Sequence, residues 1–70
     1  MPMSALLNIA IAEPSAIIRS GLEAVLKRIP GFRIQIIEIA TAELLQETLR
    51  SHKPDILIIN PSLPGYYTIQ

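Results

Sequence analysis

The stretch that most restricts what this chain can fold into runs from Pro54 to Gly65, PDILIINPSLPG. Ile56 to Ile59 form an unbroken apolar run between a proline and a polar break, the pattern of a strand buried on both faces. Asn60 ends that run, because Pro61 cannot continue a ladder and keeps the residue before it extended. Its side chain is thereby presented at the carboxyl end of a strand, the edge at which open α/β sheets bind ligands.

The rest of the chain supplies companions for this strand. Residues 6–12 read as a first buried strand, with Ala10 and Ala12 where a neighbouring element can come close. Ser15 can cap a helix over 15–29, in which Ile18, Leu22, Val25 and Ile29 form an apolar stripe widened by Ile17 and Leu26. Arg19, Glu23, Lys27 and Arg28 take the other positions; Lys27 and Arg28 suit the helix C-terminus, and Pro30-Gly31 stops it. Residues 32–39 read as a second strand of mixed phase, which a bulge or a two-faced edge strand would explain. Thr41 can cap a second helix over 42–52, with Leu44, Leu45, Thr48 and Leu49 inward, and the third strand covers 55–60.

Alternation of strand and helix predicts a parallel sheet with right-handed crossovers. Placing strand two on one side of strand one and strand three on the other gives a three-stranded sheet of order 2-1-3 with one helix on each face. This is a truncated flavodoxin-like βαβαβ arrangement, filling residues 1–70 as one partial domain. Glu13 and Asn60 then face one crevice, where the strand order reverses. Strand three is left as an apolar edge, with little helical cover for so much apolar surface.

Composition narrows the functional classes. The chain has 70 residues, half of them hydrophobic, and no cysteine, so neither a disulfide nor a thiolate metal site is available. Lys plus Arg and Asp plus Glu both count six, which gives no bulk attraction to nucleic acid or anionic lipid. No apolar run reaches the roughly 20 residues of a membrane helix, and the first residues lack a signal-peptide pattern, so a cytoplasmic address is the expectation.

Together, NIAIAEPSAIIRSGLEAVL and PDILIINPSLPG resemble the first half of a response-regulator receiver domain, most closely the kind that precedes a LuxR-type helix-turn-helix. The resemblance spans Ile9 to Gly65, and its specific parts are Ile18 to Leu22 and Asp55 to Gly65. Receivers accept a phosphoryl group from a histidine kinase on an aspartate after their third strand, with magnesium held by an acidic pair after the first. By position, the resemblance puts the phosphoacceptor at Asn60, the acidic pair at Glu13 and Pro14, and a carbonyl metal ligand at Ser62. Pro64 and Gly65 match the residues that shape the following loop. Two departures follow. A neutral amide cannot form an acyl phosphate, and Pro14 offers magnesium no side-chain oxygen. The expectation is a degenerate receiver with no cofactor and no catalysis, acting through protein contacts. Any DNA contact would lie in a missing C-terminal domain, and Tyr66 to Gln70 read as the approach to a third helix.

Plainer readings stand beside these. Asn60 is also an ordinary turn residue, and Glu13 also a loop acid favoured at a helix N-terminus. His52, the sole histidine, suits a helix C-terminus and has no partner for metal or catalysis. No serine has a base at triad spacing, and the first turn, AEPSA, lacks the glycines of a dinucleotide site. Two alternatives to the regulatory reading remain: a small nucleotide- or metabolite-binding domain using the crevice, and a stand-alone association module. The latter would form a homo-oligomer through the strand-three edge and the uncovered sheet face.

Overall fold

The computed structural model describes residues 5–66. Along the chain it has β1 (Ala5–Ala12), α1 (Ala16–Leu26), β2 (Phe32–Ile39), α2 (Ala42–Ser51) and β3 (Ile56–Ile59). The three strands form one parallel sheet in the order β2-β1-β3, an α/β arrangement consistent with a truncated flavodoxin-like fold. The expected third-helix approach lies, from residue 67 onward, outside the described residues.

Parallel partners point to the same face, so Ala10 and Ala12 share a face with Ile37 and Ile39 of β2 and with Leu57 and Ile59 of β3. Ala42 and Leu45 of α2, together with Leu63, close over this face and make the core. The two small β1 residues are what let α2 and Leu63 approach the sheet. Ile9 and Ile11, both fully buried, lie on the opposite face between Ile36 and Glu38 on one side and Ile56 and Ile58 on the other. Helix α1 belongs to this side, since Arg19 donates from Nε to Glu38 Oε1 at 2.9 Å.

Helix α1 differs from the periodicity reading in both extent and rotation. It ends at Leu26, short of the expected 29, because Arg28 and Ile29 donate to carbonyls three residues back and tighten the chain into turns. Lys27 is therefore the C-cap, and Arg28 lies beyond the helix. Arg19, Leu22, Glu23 and Leu26 are the half-buried positions, whereas Ile18 and Val25 of the expected stripe are 50% and 64% exposed. The arginine explains the rotation: its bonds to Glu38 and to the β1–α1 loop require that side of the helix to face the sheet.

In α2 the buried stripe is Ala42, Leu45 and Thr48. Leu44 and Leu49, expected inward, are each more than two-fifths exposed, since they flank that stripe over a narrow sheet. His52 is the C-cap, so the helix ends at Ser51, one residue before the expected 52. Strand β2 pairs with β1 residue for residue from Phe32 to Ile39, which excludes a bulge and leaves the two-faced edge strand. Asp55 and Asn60, expected inside the third strand, flank it instead, each donating its backbone N–H to a β1 carbonyl.

Candidate functional site at the carboxyl end of the sheet

Strands β1 and β3 end side by side, with Ala12 opposite Ile59. The next residue of each strand region carries the polar group. Glu13 donates its N–H to Ile39 O at 2.9 Å, and Asn60 donates its N–H to Ala12 O at 2.9 Å, so both backbones are anchored to the sheet as it ends. Their side chains meet: Asn60 Nδ2 donates to Glu13 Oε1 at 2.7 Å. The other carboxylate oxygen, Oε2, accepts the Ser15 N–H at 2.7 Å, and Asn60 Oδ1 accepts the Ser62 N–H at 2.9 Å. This pattern fixes the amide's orientation, since only Nδ2 can donate to a carboxylate and only Oδ1 can accept from a backbone N–H.

Glu13 is 5% exposed and remains charged. The Ser15 N–H holds its carboxyl below the usual carboxylate value, the Asn60 amide adds to this, burial opposes it, and the Arg19 guanidinium reinforces it. Arg19 Nη1 also donates to the carbonyls of Glu13 at 2.7 Å and Pro14 at 3.2 Å. One side chain thus ties the β1–α1 loop to β2 through Glu38.

The β3 loop closes the same edge from the other side. Leu63 donates its N–H to Asn60 O, and Tyr66 donates its N–H to Leu63 O, giving two consecutive turns. In the second turn Pro64 takes the position that favours a fixed φ, and Gly65 has φ +81°, the type II arrangement. Between the turns Leu63, 2% exposed, inserts into the core beside α2.

The structure thus brings Glu13, Asn60 and Ser62 together, uses Pro64 and Gly65 to shape the loop, and leaves Pro14 exposed with only its carbonyl engaged. Ser62 contributes through its backbone. Sequence reasoning missed Arg19, read there as an outward charge, and the inward Leu63. An isolated leucine between two prolines in a polar loop was the available signal for Leu63; nothing local marked Arg19. Chemically, the pair is one carboxylate bridged to one amide, each of whose oxygens already accepts a protein N–H or amide proton. Glu13 is the only charged oxygen ligand here, and among the described residues no three His, Asp or Glu side chains converge to hold a metal ion.

Comparison with protein-family models, curated proteins and solved structures returns no match for this chain.

Proposed function

We propose that this chain is a receiver-like regulatory module of the LuxR-type class, which works by protein contact and takes no phosphoryl group at the usual position. The observation that supports this reading is the Glu13–Asn60 bond at the switch point of the 2-1-3 sheet. Where a receiver would oppose two carboxylates and need a cation between them, an amide donates directly to the carboxylate. The neutral donor does the work of the cation and removes the nucleophile in the same substitution. The module is non-enzymatic on this reading, its address is cytoplasmic, and DNA recognition belongs to a further domain. Among the described residues no helix is long and apolar enough to cross a membrane.

The contact surfaces are those the fold leaves uncovered. Among the described residues strand β3 pairs only with β1, and Ile56 is 44% exposed; on α1, Ile17 is 84% exposed. Self-association through the β3 edge and the neighbouring sheet face is the partner reading these features favour.

The test is a magnesium titration followed by backbone amide shifts. The native chain is expected to show no saturable shift at Glu13 or Asn60, and the double substitution Asn60→Asp with Pro14→Asp is expected to gain one. Saturable magnesium uptake at these residues in the native chain would overturn the proposal. A repaired pair that still ignores magnesium would remove the idea that the site descends from a phosphorylated one.

A further inference from the structure

A cavity of about 370 Å³ lies at the opposite end of the sheet, beneath the C-terminus of α2. It is within the size range of small-molecule sites. It is lined by the one polar residue of β1, the half-buried Asn8, and by its exposed register partner Gln35 of β2, two carboxamides side by side on the α2 face. The Asn8 backbone N–H is taken by Asp55 Oδ2 at 2.8 Å, but among the described residues neither side-chain amide has a protein partner. Both amides reach solvent rather than a protein partner, so their donors and acceptors are open to a ligand entering the cavity.

The remaining walls define what would fit. Ile37 and Pro54 supply apolar surface, Thr48 a hydroxyl, and Lys53 an ammonium group at the rim. Paired carboxamides each present a donor and an acceptor in one plane, the complement of the amino and ring-nitrogen edge of adenine. The apolar walls suit the faces of a flat ring, and the lysine suits an attached phosphate as a point charge. We infer that this cavity is a binding site for a purine nucleoside monophosphate of the adenine type, held by Asn8 and Gln35 and oriented by Lys53.

The site is separate from the one at Glu13, which follows the last residue of β1 and lies five residues beyond Asn8, roughly 16 Å at the ordinary strand rise. It needs no glycine-rich turn, because side-chain amides rather than backbone N–H groups make the recognition. It is independent of the regulatory proposal, so either can fail without the other.

Adenosine and AMP, titrated separately into the native chain and followed by backbone amide shifts, test it. AMP is expected to shift the amides of residues 8, 35, 48 and 53 saturably, to leave Glu13 and Asn60 unmoved, and to bind more tightly than adenosine. Lys53→Gln should bring AMP down to the level of adenosine. Gln35→Ala, an exposed position whose loss leaves the fold intact, should weaken both about fivefold. Absence of saturable shifts at the cavity, shifts centred instead on Glu13 and Asn60, or a Gln35→Ala chain that binds as tightly as the native one would each overturn the assignment.

Discussion

At the scale of single residues, the molecule turns on one hydrogen bond between groups 47 positions apart, Asn60 Nδ2 to Glu13 Oε1. Asn60→Asp replaces the donor with a second carboxylate at contact distance, so it should destabilise the fold at neutral pH more than Asn60→Ala does. Magnesium should recover part of the loss, and urea midpoints with and without the cation measure both effects. Glu13 also carries a pH dependence whose sign is fixed. Its folded pKa lies below the ordinary value of 4.5, so its contribution to stability is present above that value and is lost as pH falls through the lower folded value. Urea unfolding of the native chain and of Glu13→Gln should therefore diverge at neutral pH and converge on acidification. Curves that stay parallel down to acid pH would show that Glu13 is not held as described.

Elements are set by their ends more than by their interiors. Ser15 Oγ accepts from Ile18 N at 3.3 Å and Thr41 Oγ1 from Leu44 N at 3.2 Å, each satisfying an amide that the first helical turn leaves open. Between α1 and β2 the chain reverses at Gly31, whose φ of +86° lies in the left-handed region. A β-carbon placed there meets nothing within 4 Å, so a side chain is opposed by backbone conformation alone. Gly31→Ala is expected to cost about 1–2 kcal/mol, read from denaturant midpoints, with no change in the circular dichroism of the folded state. The same elements show why periodicity misread α1. Apolar spacing places Ile18 and Val25 inward, but Arg19 has three acceptors to reach on the sheet side, and satisfying them rotates the helix.

As a whole, the molecule has more apolar surface than its two helices cover. Helix α1 has no fully buried residue, while Ile17, Val25, Phe32 and Ile56 are all more than two-fifths exposed. Both outer strands present an unpaired edge among the described residues, but they differ in protection: β2 carries Arg33 and Glu38, whereas β3 is Ile-Leu-Ile-Ile without a charge. Sedimentation equilibrium should show a mass that rises with concentration, and Ile56→Lys should shift the chain toward monomer by charging the β3 edge. A monomer at every concentration would dispose of self-association for this chain.

Element order, the parallel 2-1-3 sheet and the placing of Glu13 and Asn60 at strand ends were legible in the sequence, because apolar period and proline or glycine punctuation act over a few residues. The rotation of α1, the joining of Asn60 to Glu13, the burial of Leu63 and the pairing of Asn8 with Gln35 were not. Each depends on which residues of distant segments come into register; in α1, bonding Arg19 to Glu38 and the β1–α1 loop outweighs the local apolar pattern because leaving those groups unpaired costs more than exposing an isoleucine.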